Sequence, residues 1–311
     1  MPELPEVTTT VKGLQKVLPG LIFVDVWTDL AKKNQKIKQF KETIKNESFF
    51  KSLKKKIIGK KIIKVERRAK NILIQVEGGN TILIHLKMTG HLLFGQYFFN
   101  KKDNKWTPNK NEKKSLFDPY NRFIHVVFTL SNKKNIKHLA FCDSRKFGKV
   151  TIISDVNNTI HLKNIGPEPL EKSFNFPKFK SRLLLKPNWK IKTVLMDQSV
   201  IAGIGNIYSD EMLWSSGIHP ESNPENIPDK NLLKLWSEMK DVLAKGIDFG
   251  GDSMSDYRNI DGLRGDFQNH HNVYQKKNTK CVKKGCNGVI MRKVINGRSS
   301  HFCNTHQKLF V

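Results

Sequence analysis

Residues 202–214 read AGIGNIYSDEMLW, and the meaning of these thirteen residues decides the fold. Gly203 and Gly205 stand just before a segment of helical character. A dinucleotide-binding loop needs a strand ahead of it and a third glycine behind. Here the third glycine is missing, and the preceding WKIKTVLMDQ (189–198) is spaced as a helix. The stretch is therefore read as a tight helix–turn–helix. Its bare backbone N–H groups and the Asn206 side chain open the second helix, where a phosphate would be received. A simple cap by Asn206 accounts for this segment equally well when it is taken alone.

Moving toward the carboxyl end, Pro224 and Pro228 precede a third helix over roughly 229–248. Leu232, Leu235, Trp236, Met239, Val242 and Leu243 form its apolar stripe, and Gly250 and Gly251 end it. A Gly- and Asp-containing segment (250–272) leads to a tail with the pattern Cys281-x4-Cys286, sixteen residues, Cys303-x2-His306. Two such pairs on successive hairpins can converge on one tetrahedral Zn²⁺. Between them VIMRKVINGRSSHF alternates as two short strands about Asn296-Gly297. A unit this small cannot build a core alone, which favours a metal staple over free thiols beside an ordinary histidine. His306 is preferred to His301 as the fourth ligand.

Moving toward the amino end, IGPEPLEK (165–172) is a linker, with two prolines and a glycine. From Ile62 the apolar period shortens to two. IIKVERRAKNILIQV and TILIHLKM pair across the turn EGGN, and FIHVVFTL, IKHLAFCD and GKVTIIS continue the pattern. This is an antiparallel β-domain, expected as a two-layer sandwich. Residues 1–18 read as a helix with Val7, Val11, Leu14 and Leu18 on one stripe. Residues 32–61 are lysine-dense, with one short helix expected around Phe40–Phe49. The polar stretch 100–115 reads as an exposed, mobile, dispensable loop. No internal repeat is seen. The expected class is α+β, multidomain: an N-terminal β-sandwich with flanking helices (1–164), a linker (165–180), a helical domain (181–274) and a C-terminal zinc-finger hairpin (275–311).

The charge balance selects partners. The 311 residues carry 55 Lys+Arg against 28 Asp+Glu, a formal charge of +27. Such a field attracts polyanions, nucleic acid or an anionic membrane face first. A lysine-rich proteome would explain part of the excess. It explains less well the last 45 residues, from Phe267 onward, which hold nine Lys/Arg and no Asp or Glu. No apolar run approaches the roughly 18–20 residues of a membrane span. Four cysteines, three of them in the tail, and no export signal point to a reducing cytoplasmic compartment and a metal site rather than disulfides.

Four further clusters stay ambiguous on residue chemistry alone. VERRAKNIL sets Arg68 and Lys70 near a strand start, where basic pairs are usually just solvated. CDSRKFG pairs Arg145 with Phe147, and HLKMTGHL exposes Met88 in a turn. Phe147 and Met88 would ordinarily be core, yet beside an arginine in a basic protein they could wedge between bases. MPELPEV places Pro2, Glu3 and Glu6 at the amino end: either a disordered tip or a reagent, the free amine of Pro2.

Taken together, MPELPEV, RRAK, HLKMTGHL, DSRKFG, IGPEPL, IAGIGNIYSDE, GIHP and the cysteine tail with GRSSHFC resemble, in order, the Fpg/endonuclease VIII family of DNA glycosylases, on its formamidopyrimidine-DNA glycosylase side. The resemblance covers nearly the whole chain. It implies a β-sandwich, a helix–two-turn–helix domain and a zinc finger, with double-stranded DNA held between the halves by a monomeric base-excision-repair enzyme. It implies a bifunctional glycosylase and abasic-site lyase on oxidised purines such as 8-oxoguanine and formamidopyrimidines. By match, Pro2 is the nucleophile once Met1 is removed, Glu3 the proton donor to the sugar oxygen, and Glu6 a second carboxylate holding the amino terminus. Lys70, Asn206 and Arg298 match phosphate contacts around the lesion. Met88, Arg145 and Phe147 match the trio that fills the hole left by the flipped nucleotide. Lys192 matches a lysine near the lesion pocket, and 252–270 a mobile capping loop. One Zn²⁺ is implied, held by Cys281, Cys286, Cys303 and His306.

The chain departs from the family pattern at three places. His306 stands where a fourth cysteine is usual, Lys146 where arginine is common, and 100–115 is longer and more basic. Two other readings stand beside the first. An endonuclease VIII-type enzyme for oxidised pyrimidines typically has glycine where Leu4 stands. A non-catalytic damaged-DNA-binding protein would have no need of Pro2, Glu3 and Lys70 together.

Overall fold

The computed structural model describes residues 1–33, 35–156 and 159–311. These form two compact units: residues 1–163 with 250–266, and residues 164–249 with 267–311. The capping segment was expected to belong with the helical domain. By its contacts most of it belongs with the N-terminal unit.

The N-terminal unit opens with helix α1 (Leu4–Val17), whose Val7, Val11 and Leu14 are buried together with Leu18 just beyond its end. Strand β1 (Ile22–Thr28) follows, then α2 (Glu47–Ile57), which Asn46 caps by accepting the Phe49 N–H. The helix expected near Phe40–Phe49 is thus shifted: Lys38–Phe40 is only a 3-10 turn. Strands β2 (Ile62–Arg68), β3 (Asn71–Val76), β4 (Thr81–His85), β5 (His91–Gly95), β6 (Tyr97–Asn100), β7 (Lys105–Pro108), β8 (Ile124–Ser131), β9 (Ile136–Cys142) and β10 (Lys149–Ile153) complete the unit. Two antiparallel four-stranded sheets, ordered β1-β8-β9-β5 and β10-β4-β3-β2, share one apolar core. Phe23, Val26, Phe128 and Phe141 come from the first sheet, and Val65, Ile72, Ile74, Ile82 and Ile84 from the second. This is the expected sandwich.

Two further sequence readings of this unit differ from what is seen. The stretch 62–76 is two strands, folded back at Ala69-Lys70 with Ala69 at φ +53°. Neither central residue of that turn is Gly, Pro or Asn, so alternation appeared unbroken; Asn71, just after it, donates its side-chain amide to the Arg68 carbonyl. The 100–115 stretch is not a free loop. β6 and β7 pair as a hairpin, and Trp106 on β7 packs against Trp27 and Phe99.

The second unit holds α3 (Phe176–Leu183), α4 (Ile191–Met196), α5 (Asn206–Ser216), α6 (Asp229–Asp248) and the hairpin β11 (Ile290–Ile295)–β12 (Arg298–Cys303). α3 starts inside the expected linker, with Asn175 as its cap. α6 has the expected limits and buries Leu232, Leu235, Met239, Val242 and Leu243. α5 is buried nearly all round, polar Ser209, Asp210 and Glu211 included. The Glu211 carboxylate accepts N–H groups of Asn272, Val273 and Tyr274, fixing the chain that enters the tail.

Candidate functional site

The amino terminus is built by the first turn of α1. Glu3 is its N-cap. The Glu3 carboxylate accepts the Glu6 N–H, while the Glu6 carboxylate accepts the Glu3 N–H at 2.6 Å. This reciprocal capping box satisfies donors that a helix start leaves open. It fixes the residue next to Pro2 at the positive end of the helix. Pro2, Glu3 and Glu6 are all buried. The second Glu6 oxygen accepts the Asp252 N–H at 2.7 Å, and the Tyr257 hydroxyl donates to the Glu6 carbonyl at 2.9 Å. Burial holds the Tyr257 phenol well above its ordinary pKa. Gly251, at φ +87°, lets this approach happen: a Cβ there would lie 2.9 Å from Glu6 Cγ. Glu6 therefore joins the amino terminus to the base of the 252–257 segment. That segment's next anchor is Arg258, which pairs with Asp118, donates to Ser255 and Tyr257 carbonyls and lies over the Tyr120 ring.

A row of cations lies across the second sheet. His85 on β4 is the register partner of Asn71 on β3 and Lys149 on β10, and buried Lys70 sits in the turn just before Asn71. His85 Nδ1 accepts the Lys87 N–H, which leaves its proton on Nε2. Burial first, then Lys87, Lys70 and Lys149, lower its pKa to about 3. Lys149 is lowered too, by burial and then by Lys87, and its Nζ meets His161 Nδ1 at 2.9 Å. The ammonium groups gathered here give a positive local field, and the same field disfavours a charge on His85. The sequence reading named Lys70 and not His85, Lys87 or Lys149; cross-strand register is what brings His85 and Lys149 beside it.

The DSRKFG loop is organised by buried Asp143, which accepts the Thr89 hydroxyl and the Gly148 N–H (2.6 Å). Lys45 Nζ holds the Lys146 carbonyl at 2.7 Å. Burial, with Asp143 opposing and Lys87 assisting, brings the Lys45 amine down to about 8. The Arg145 guanidinium lies 4.8 Å from the centre of the Phe147 ring, and both side chains are exposed. Phe147 and Met88 line one cavity of about 390 Å³ with Lys87, Lys149 and Met1, the residue ahead of Pro2.

In the second unit the glycine turn is scaffolded by Gln198. Its Oε1 accepts the N–H of Gly203, which sits at φ +85°, and its Nε2 donates to the Ile204 and Met196 carbonyls. Gly205 is the N-cap of α5 and Asn206 its first residue. Asn206 Oδ1 is buried without a protein hydrogen-bond partner among the described residues. Arg298 opens β12, exposed, and lines a cavity of about 270 Å³ with Lys192 and Asn296. Lys192 is nevertheless buried, its ammonium directed at Asp210 and at the carbonyls of Ser299 and Asn206.

In the tail, one ligand atom from each of Cys281, Cys286, Cys303 and His306 lies within 4.8 Å of the others. His306 Nε2 faces the Trp214 carbonyl at 3.0 Å, so it carries the proton and Nδ1 offers its lone pair toward Cys281 Sγ at 3.4 Å. N–H groups of Trp214, Gly288 and Thr305 point at the three sulfurs. These donors would stabilise thiolates, and the set fits a tetrahedral metal ion. His301 instead hydrogen-bonds Asp210.

Residues 1–150 match the formamidopyrimidine-DNA glycosylase N-terminal domain, and residues 165–258 match the formamidopyrimidine-DNA glycosylase H2TH domain. A formamidopyrimidine-DNA glycosylase of Pelotomaculum thermopropionicum is 34% identical, with 99% of this chain and 100% of that protein covered. One of Carboxydothermus hydrogenoformans is 33% identical over the same shares. The Lactococcus lactis Fpg bound to DNA with an abasic site superposes with a TM-score of 0.77 at 29% identity, covering 97% of each chain. A Lactococcus lactis mutant bound to Fapy-dG-containing DNA superposes at 0.78, covering 97% and 98%. The chain belongs to the formamidopyrimidine-DNA glycosylase family.

Proposed function

We propose that this chain excises oxidised purines, 8-oxoguanine and formamidopyrimidines, from double-stranded DNA and then cleaves the resulting abasic site. Base-excision repair by a DNA glycosylase is the activity of its family, and two neighbours in fold hold abasic-site and Fapy-dG DNA. The observation that carries the reading for this chain is the amino terminus, where Pro2-Glu3 is locked by the Glu3–Glu6 capping box. Removal of Met1 frees a secondary amine. An α-amino group titrates near ~7.7–8, well below a lysine at ~10.4, so a useful fraction is neutral and nucleophilic.

The amine attacks the sugar C1′, the C1′–base bond breaks and the base leaves with its electron pair. Glu3 protonates the sugar oxygen as the ring opens to an iminium. That cation is an electron sink. It acidifies the C2′ proton, whose loss drives β-elimination of one phosphate and then δ-elimination of the other. Lys70, amid the His85–Lys87–Lys149 row, is the phosphate contact of the N-terminal unit. Asn206 and Arg298 serve the DNA backbone from the second unit, while Lys192, matched to a lysine near the lesion pocket, has its ammonium directed into the protein. Met88, Arg145 and Phe147 occupy the space left by the extruded nucleotide.

Cys281, Cys286, Cys303 and His306 hold one structural Zn²⁺, which folds the hairpin carrying Arg298. Among the described residues no helix is long and apolar enough to cross a membrane. Reduced metal-ligating thiols suit the cytoplasm. The enzyme acts as a monomer.

Borohydride trapping on a duplex with 8-oxoguanine opposite cytosine tests the proposal. A covalent adduct is expected with the processed protein and none with Pro2→Gly. An adduct of equal yield in Pro2→Gly would overturn the assigned nucleophile. No adduct, with Met1 shown absent by intact mass, would overturn the purine substrate.

A further inference from the structure

A second polar cluster of the helical unit lies wholly inside it. Lys192 on α4 is 1% exposed, Asp210 on α5 is 0% and His301 on β12 is 5%. The Lys192 ammonium donates to Asp210 Oδ1, to the Ser299 carbonyl at 3.3 Å and to the Asn206 carbonyl at 3.5 Å. Asp210 Oδ2 accepts the His301 backbone N–H at 2.9 Å and faces the same residue's Nδ1 at 3.2 Å. Three chain segments distant in sequence are thus tied at one point.

Taking an ammonium and a carboxylate out of water is costly, so such a pair is a weak source of stability alone. What it does supply is geometry. One ammonium touches the main chain of Asn206 and of the residue directly after Arg298. One carboxylate grips that ammonium and the backbone three residues beyond Arg298. Asn206 lies one helical turn ahead of Asp210 on α5. The relative placement of the Asn206 turn and the Arg298 strand is therefore referenced to a single buried ion pair.

We infer that Asp210, acting with Lys192 and His301, is a positioning residue that sets the spacing between two phosphate contacts, Asn206 and Arg298, and so tunes capture of the distorted backbone at a lesion. The inference rests on Asn206 and Arg298 contacting phosphate. On this view the charge of Lys192 serves the protein interior. Phosphate contacts spaced for an extruded nucleotide should discriminate damaged from intact duplex, because the backbone around an extruded nucleotide differs in shape from that of B-form DNA.

The test is a double-mutant cycle on the metal-loaded full chain, read as affinity for a duplex carrying a tetrahydrofuran abasic analogue. Asp210→Asn keeps the shape and removes the charge. It should weaken analogue binding at least 10-fold with metal content unchanged, and by less than 3-fold once Arg298→Ala is present. Equal losses in both backgrounds would overturn the positioning role and leave a general stability effect. If Arg298→Ala and Asn206→Ala themselves leave analogue affinity unchanged, the phosphate reading fails instead. Should Asp210→Asn not fold, Lys192→Met/Asp210→Leu removes the pair without stranding a charge. It should regain a native unfolding midpoint yet show the same coupled loss, and full analogue affinity in it would overturn the inference.

Discussion

Glu6→Gln is the most informative change at the amino terminus. In the native chain each Glu6 oxygen takes a backbone N–H, from Glu3 at 2.6 Å and from Asp252 at 2.7 Å, in a site that is 1% exposed. A glutamine has one oxygen and one amide NH₂. Whichever donor keeps the oxygen, the other faces a donor. One charge-assisted bond worth about 1.5–3 kcal/mol is lost, and the survivor falls to the value of a neutral bond, about 1 kcal/mol less. The expected destabilisation is roughly 2.5–4 kcal/mol. It is read from urea unfolding midpoints at constant m, for the N-terminal unit if the two units unfold separately. Hydrogen exchange adds a local readout: the Glu3 and Asp252 amides should lose protection together, since one carboxylate holds both. Turnover should fall with them, because the residue beside the nucleophile is no longer fixed. A loss below about 1 kcal/mol, or protection lost at only one of the two amides, would refute the shared-carboxylate argument.

Other expectations follow from the same geometry. Arg258→Ala should speed exchange across 253–258, since it strands Asp118 and frees the Ser255 and Tyr257 carbonyls. Unchanged exchange there would deny Arg258 its anchoring role. Cys281→Ser should lower bound zinc and expose amides of β11 and β12 to exchange, and full metal occupancy would reject the four-ligand cluster. His85, held near 3 against about 6.5 when unfolded, takes up its proton only in the unfolded chain over that window. Stability therefore falls as pH drops through it, and the acid limb should be shallower in His85→Gln. Parallel limbs would mean that His85 titrates normally. Duplex binding should fall steeply with salt, because neutralised phosphates release counterions, and a flat response would count against the cation row.

What the sequence made legible was periodic or spaced. The α6 stripe, the α1 stripe, the Asn296-Gly297 turn and the cysteine pairs all announce themselves within twenty-odd residues. The turn at Ala69-Lys70 did not, because Ala takes the positive φ there without any glycine cue. α5 escaped amphipathic reading because it is buried on every side, its polar groups satisfied internally by Lys192, His301 and the 272–274 backbone. The membership of 250–266 in the N-terminal unit rests on bonds from Glu6 and Asp118, more than a hundred residues away. No local pattern encodes such a pairing. The same limit applies to the candidate site. Pro2, Lys70 and Arg298 were found through motifs, whereas His85, Lys149 and Asp210 become visible only when strands and helices bring them beside those residues.

The capping box alone does not explain why a glutamate, rather than the usual Ser or Asp, starts α1. An N-cap hydroxyl would accept the Glu6 N–H as well, and Glu6 would still bridge the N–H groups of residues 3 and 252. With Glu3 and Glu6 the box closes on the residue after the nucleophile, and the spare Glu6 oxygen is left for the capping segment. Pro2 takes no part in the box. Once Met1 is gone its amine therefore has no partner imposed by the helix start, so the lone pair is not drawn into α1. On the proposed reading the residue beside the amine is fixed while the amine stays outside the box, an arrangement that suits a nucleophile. A serine or aspartate at position 3 would cap α1 as well or better, yet it would remove or shorten the carboxylate that the proposed reaction uses to protonate the sugar oxygen. Helix stability alone does not select this amino end; the proposed chemistry does.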